Sequence, residues 1–349
     1  MLIKTPRKVL AVPLDSHATS YHRIIQPAYE LMQKGEPWAS NIQFLGPKDD
    51  QPAQYAWADI LFIQCLYAPD AYQFHADQKK NGKLIVLDFD DDYINIPEDS
   101  PEQTEVIDKD TGERYSFPPQ MRAIFVQMFI QLADIVVVTN NHLKQLYSPW
   151  NKNIIVIPNC VSEEMRRDVP KTENDRVRIL WSGSSSHLPD LHLIKEPLKN
   201  IVDKYGDKVE LHFHGPLDFK AEFPDLPLIT YPSVPFQDYL DVVQGINADI
   251  AIAPLRDHIF NMSKSNLKFL QMTLMETTFV GSNYGPYKDI DHGVDGMLAS
   301  TDKEWVDCLS QLIENQDLRK KLVKNATKYV ENNFMIDKQL HSWEKIFTY

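Results

Sequence analysis

Two lysines one helical turn apart, Lys264 and Lys268, stand where a strand-like run, ADIAIAPL over 248–255, gives way through a loop carrying Arg256 and Asp257 to a helical segment. Ser263 or Ser265 can cap that helix, and lysines beside unpaired N–H groups at a helix start make an anion site of the kind a diphosphate occupies. A capped helix with solvated lysines fits the same residues. A second candidate is WSGSSSHLPDL, 181–191. Gly183, Ser184 and Ser185 offer N–H groups and hydroxyls as a phosphate cradle. His187 is placed to touch a phosphate, and Asp190 to cap the helix that follows. A serine-rich turn accounts for them too.

The segment DSHATSYHR, 15–23, adds Tyr21, His22 and Arg23, an arginine for phosphate charge and a histidine or tyrosine for a hydroxyl. Directly after the apolar run LIVL comes an acidic cluster, Asp88, Asp90, Asp91 and Asp92, of which at least two carboxylates should point into a cleft. Asp88-Phe89-Asp90 satisfies a cation-binding D-x-D spacing. A general base, a hydroxyl contact and a helix cap are its other uses, and Asp90 is the preferred acceptor-side residue. Gly285, Pro286 and Tyr287 form a turn that can sit against a sugar or diphosphate, or serve as a turn alone. His212 and His214 alternate on a strand without a third ligand and are read as structural. The basic helix at 318–329, LRKKLVKNATKY, is a solvated face first and a contact for anionic membrane second.

The elements that must position these groups alternate in type. Short apolar runs at 8–13, 60–64, 84–87, 135–138 and 154–157 are separated by helical segments at 24–32, 71–81 and 121–132. In the last of these, Met121, Ile124, Phe125, Met128 and Leu132 share a face that should be core. The polar, proline-bearing stretch 97–119 reads as a long surface loop, and 162–176 as a linker. The alternation then restarts with strands at 177–181, 209–214, 250–253 and 279–281, a helix face of Trp305, Val306, Leu309, Leu312 and Ile313, and a last helix near 334–347.

Such alternation predicts an α/β protein of two doubly wound, Rossmann-like domains, 1–165 and 166–330, facing a central cleft. Residues 331–349 form a C-terminal helix that can cross back to the first domain. At 349 residues and 43% hydrophobic content the chain is long enough for two cores. The net charge of -13 opposes loose adhesion to nucleic acid or anionic lipid, so a small molecule is the expected partner. Cys65, Cys160 and Cys308 are scattered, which fits neither a zinc cluster nor a disulfide framework and suits a reducing cytoplasm. The apolar run 9–14 is too short for a secretory signal, no run reaches the length of a membrane span, and 12 glycines leave no room for a glycine-rich phosphate loop.

The second half resembles the nucleotide-binding domain of GT-B glycosyltransferases of the GT4-like type. The resemblance is carried by ADIAIAPL, KSNLKFLQ (264–271), TTFVGSNYGPY (277–287) and HGVDGML (292–298), in that order, with ADIVVVTNNHLKQLY and NIIVIPNCV matching the end of the acceptor domain. That family carries two glutamates eight positions apart around the helix start, the second on the donor ribose. Ser263 and Gln271 hold those positions here, and Gln271 can still hydrogen-bond a hydroxyl. Glu276 lies off that face and takes no such role.

The resemblance implies transfer of a sugar from a UDP- or GDP-linked donor to a hydroxyl acceptor, metal-independent, with retained configuration and no tightly bound cofactor. Gly183, Ser184, Ser185, His187, Arg256, Lys264, Lys268, Gln271, Gly285 and Tyr287 would hold the donor. Asp90, His22 and Arg23 would serve catalysis. Three rivals share parts of the reading: a sugar-nucleotide epimerase of the same fold, a catalytically silent nucleotide-sugar binder, and a phage-type enzyme that glycosylates hydroxylated DNA bases.

Overall fold

The computed structural model describes residues 7–14, 17–34, 39–46, 48–65, 68–100, 105–107, 114–116, 118–166 and 175–347. Runs such as Ile60-Leu61-Phe62-Ile63 and Ile135-Val136-Val137-Val138 are buried on both faces, as strands inside parallel sheets must be. Strands β1 (Val9–Val12), β2 (Ile42–Phe44), β3 (Ile60–Gln64) and β4 (Leu84–Phe89) are followed by the hairpin of β5 (Glu105–Ile107) and β6 (Arg114–Ser116), then by β7 (Ile135–Val138) and β8 (Ile154–Val156). The first sheet has the order β2-β1-β3-β4-β7-β8 and is parallel throughout.

The second sheet comprises β9 (Val177–Ser182), β10 (Val209–His214), β11 (Leu228–Tyr231), β12 (Ile250–Ala253), β13 (Thr278–Ser282) and β14 (Met297–Ala299). It runs β11-β10-β9-β12-β13-β14, also all parallel. Its order reverses between β9 and β12, the position beyond whose carboxyl ends a crevice opens. The architecture is therefore the expected pair of doubly wound α/β layers.

Several local expectations are corrected. β2, β11 and β14 lie at or beside sheet edges, and residues 105–107 and 114–116 pair antiparallel within the stretch read as a loop. The helix Pro119–Leu132 buries Arg122, Val126, Phe129 and Ile130, while Met121 and Ile124 are 45% and 53% exposed. This helix is apolar on more than one side, so spacing alone allows two core faces. The row chosen brings Phe129 and Ile130 against the sheet, and Arg122 joins it because its guanidinium donates to the Tyr93 carbonyl at 3.0 Å. In the stretch read as a linker, Ser162 and Met165 are buried, and Met165 belongs to a core cluster of the second domain.

Trp305, Leu309 and Leu312 do reach the second core, with Val306 and Ile313 at its margin. The final helix, Ile336–Phe347, places Ile336, Leu340, Trp343, Ile346 and Phe347 among Val9, Ile24, Phe62 and Val86 of the first domain. The two chain crossings run side by side, joined by Val161 N–H to Phe334 O at 2.9 Å and Ile336 N–H to Val161 O at 2.8 Å. Among the described residues no helix is long and apolar enough to cross a membrane.

Trp343 is fully buried, packs edge-on to Phe62 and lies under the Arg23 guanidinium, yet its indole N–H has no partner among the described residues. Trp343→Ala should lower stability by about 3–5 kcal/mol, measured by urea unfolding. Trp343→Phe should cost much less, because it keeps the ring and gives up no hydrogen bond.

Candidate functional site

A cavity of about 620 Å³ lies between the two sheets, lined by segments that follow the carboxyl ends of β1, β4, β8 to β13. Of the residues singled out in the sequence, Asp90, Gly183, Ser184, His187, Lys264, Lys268, Gln271 and Tyr287 line it. His22, Arg23, Ser185, Arg256 and Gly285 do not.

Lys268 sits on the first turn of the helix Leu267–Leu274, with Nζ 5.1 Å from the Trp181 ring centre. No carboxylate or hydrogen-bond partner engages this ammonium among the described residues. Burial, offset in part by Asp190 and reinforced by Lys264, lowers its pKa to about 7. The close approach depends on Gly183: a Cβ there would stand 2.9 Å from Lys268 Nζ and 2.8 Å from Trp181. Gly183 does not lend its N–H to a cradle, since that group donates to the His214 carbonyl at 3.1 Å.

Neither Ser263 nor Ser265 caps the helix, which begins at Leu267 after Asn266. Both serines serve the domain interface instead. Ser263 Oγ accepts from Asp92 N–H at 3.1 Å and its carbonyl accepts from Asn140 at 2.6 Å, while Ser265 Oγ accepts from Asn159 at 2.9 Å. Lys264 between them pairs with Asp91 at 2.9 Å. Arg256, expected at the donor, is turned outward into a two-pronged pair with Asp99 at 2.6 Å for each contact.

The aspartate cluster divides by local geometry. Asp88 is consumed by Arg23 in a fully buried pair at 2.7 Å, so Asp88 and Asp90 do not converge as a D-x-D site. Asp92 closes a turn by accepting from the Ile94 and Asn95 N–H groups. Asp90 and Asp91 are the two that reach the cavity. Asp90 Oδ1 accepts from Tyr93 at 2.9 Å and Cys65 at 3.2 Å.

His22 and Arg23 fall on a π-helical turn, Tyr21–Ile25, which rotates both into the interior. The remaining Arg23 donors go to the Ile157 carbonyl and Asn159, so its charge is not offered to the cavity. His22 Nδ1 donates to the Cys160 carbonyl at 3.0 Å, and burial lowers its pKa to about 4, so the ring is neutral with a lone pair on Nε2. That lone pair faces Gln271 Nε2 at 3.2 Å, which makes the Gln271 amide nitrogen the donor and leaves its oxygen for the cavity. His22 thus positions Gln271 rather than meeting substrate.

His187 Nδ1 donates to Asp190 Oδ2 at 3.0 Å. Asp190 caps no helix; it accepts also from Arg256 N–H and from Asn261 at 3.0 and 2.9 Å. Gly285 stays outside the cavity because its turn, at φ +56°, packs against the Asn261 carbonyl, which a Cβ would approach to 2.4 Å. Ser185 opens a short 3-10 turn and also stays outside the lining.

Sequence reasoning missed His17, Ala18, Thr19, Asn159, Ser233, Val234, Phe236 and Tyr239, all of which line the cavity. The 233–239 group follows β11, and an unrecognised strand hides the loop at its end. His17 to Thr19 lay within a segment already suspected, whose later residues were preferred; its Asp15 and Ser16 are outside the described residues. His212 is structural as read, bonded to Tyr231 and Glu210. His214 instead lines the cavity, tied to Ser182 at 3.0 Å.

No family model and no curated protein matches this sequence. Solved structures do. HepE of Anabaena in complex with UDP and glucose aligns with a TM-score of 0.65 at 11% identity over 97% of this chain and 98% of that one. Sucrose-phosphate synthase of Thermosynechococcus elongatus aligns at 0.66 and 11% identity over 98% of both. TarM aligns at 0.60 and 14% identity over 83% of this chain, which spans only 55% of TarM. With two parallel six-stranded sheets in the same arrangement, the chain has the GT-B fold of these glycosyltransferases.

Gly183→Ala puts a methyl group 2.9 Å from the Lys268 ammonium and 2.8 Å from the Trp181 ring, and should lower stability by more than about 1 kcal/mol in urea unfolding. Arg256→Ala should change stability by less than about 1 kcal/mol, because its pair with Asp99 is exposed. Lys268 holds its proton only below about pH 7 when folded but up to about 10.5 when unfolded. The unfolded chain therefore binds more protons between those values, and this group's contribution makes stability rise with pH across the window. Lys268→Met should remove that rise and unfold at higher urea than the parent at pH 6.

Proposed function

We propose that the chain is a glycosyltransferase that takes a UDP-linked sugar in the cleft and passes the sugar to a hydroxyl acceptor. The observation that carries this reading is the half-buried Lys268 ammonium, held in the cavity wall with Asp190 acting on it only through space and no carboxylate in ion-pair contact among the described residues. A cation drawn out of water in that way is stabilised by an anion supplied from outside. HepE, of the same fold, holds UDP and glucose, which favours uridine in the donor.

In this reading the diphosphate lies between Lys268 and Lys264 and displaces Asp91 from the latter. As the bond to the sugar stretches, negative charge grows on the departing diphosphate, and the two ammonium groups stabilise it without a metal ion. Gln271 accepts a ribose hydroxyl through the oxygen that His22 has turned outward. On the acceptor side, Asp90 keeps its second oxygen without a partner among the described residues, and this oxygen takes the acceptor hydroxyl. Retention of configuration follows from the resemblance to GT4-like enzymes. Buried free thiols at Cys65, Cys160 and Cys308 suit the reducing cytoplasm expected from the sequence.

A thermal-shift panel of UDP, GDP, ADP and CDP with their sugar conjugates tests the proposal. A ligand at 100 times its dissociation constant stabilises by about 2.7 kcal/mol. UDP and one UDP-sugar should raise the melting temperature, and Lys264→Ala and Lys268→Ala should each abolish the shift. Equal binding by both variants and the parent would overturn the assignment.

A further inference from the structure

The His187 and Asp190 pair has the geometry of a proton relay facing the cavity. Asp190 is held by three donors, from His187, the Arg256 main chain and Asn261, at 3.0, 3.0 and 2.9 Å. Its carboxylate therefore cannot turn away, and it fixes the proton of His187 on Nδ1. The ring is only 12% exposed and lines the cavity, and its Nε2 has no partner among the described residues. An imidazole oriented by a buried carboxylate, with the opposite nitrogen free in a cleft, is built to accept a proton and to hold the resulting cation.

Resting on the glycosyltransferase reading above, we propose that His187 is a catalytic acid: donor binding loads a proton onto its Nε2, and the imidazolium, stabilised by Asp190, delivers that proton to the departing diphosphate. The bond between the sugar carbon and the diphosphate oxygen breaks, and its electron pair goes to that oxygen, which takes the Nε2 proton. The acceptor hydroxyl forms the new bond to the sugar carbon and gives its proton to solvent, so the nucleoside diphosphate leaves singly protonated and His187 returns to neutral.

The surroundings explain why loading waits for the donor. The charged groups facing His187 are Asp190 from its own turn and Lys268 and Lys264 from the opposite segment, the latter already paired with Asp91 of the first domain. Burial and Lys268 hold His187 far below its ordinary pKa, at about 3. A diphosphate between His187 and Lys268 replaces the repulsion of two like charges by attraction to an anion, which favours the charged ring.

Long-range proton–nitrogen spectra of protein labelled with ¹⁵N-histidine, recorded at pH 6.5 without and with saturating UDP, test this directly. The His187 signal is assigned by its loss in His187→Gln. Its Nε2 should be unprotonated in the free protein and protonated in the complex, and Asp190→Asn should abolish that change. His187→Gln should bind UDP about tenfold more weakly at pH 6.5 and lose the pH dependence contributed by this group. UDP bound by the parent with Nε2 still unprotonated overturns the proposal alone. Failure of the parent to bind UDP overturns the reading of the cleft and the proposal with it.

Discussion

A half-buried ammonium with no carboxylate in ion-pair contact among the described residues is the constraint on which the cleft depends. A charge drawn out of water is costly, and proteins ordinarily pair it or expose it. Lys268 is neither paired nor fully exposed. It rests on the face of Trp181, beside a residue that has no side chain, and its own acidity is raised until it is half charged near neutrality. Asp190, whose charge acts on it, is occupied by other donors. The site is thus strained toward an anion, and the strain is borne by two well-packed domains.

The domain interface concentrates on the same short segment. Ser263, Lys264 and Ser265 each engage the first domain, through Asp92 and Asn140, Asp91, and Asn159 respectively. Positioning Lys264 and joining the two domains are therefore one structural event. Behind them, the crossings at Val161 and Met335 share a β-bridge, and the final helix anchors the return in the first core.

The polar substitution at Gln271 also has a structural account. A neutral His22 whose Nδ1 proton is committed to the Cys160 carbonyl can only accept at Nε2. An amide satisfies that demand with its nitrogen while presenting oxygen outward, which a carboxylate cannot do without a proton on His22. Residue 271 and residue 22, in different domains, are chemically matched.

The sequence by itself determined the alternation of strand and helix, the division into two parallel sheets, and most of the segments that reach the cleft, the loop after β11 excepted. These follow from local apolar runs and the turn chemistry between them, so 60–64, 135–138, 209–214 and 250–253 were legible to the residue. Edge strands such as β2 and β14 were not, being only three residues long. Which side chain of a segment faces the cleft was decided by tertiary structure. A single π-helical turn moved His22 and Arg23 inward; Arg256 and Lys264 were claimed by carboxylates of the other domain; and Asp88 and Asp90, two residues apart, took different fates because Asp88 lies within β4, where Arg23 claims it, while Asp90 lies past the strand's end, where the chain turns toward the cavity. Such outcomes depend on partners distant in sequence, and no local pattern encodes which of several eligible charges will find one.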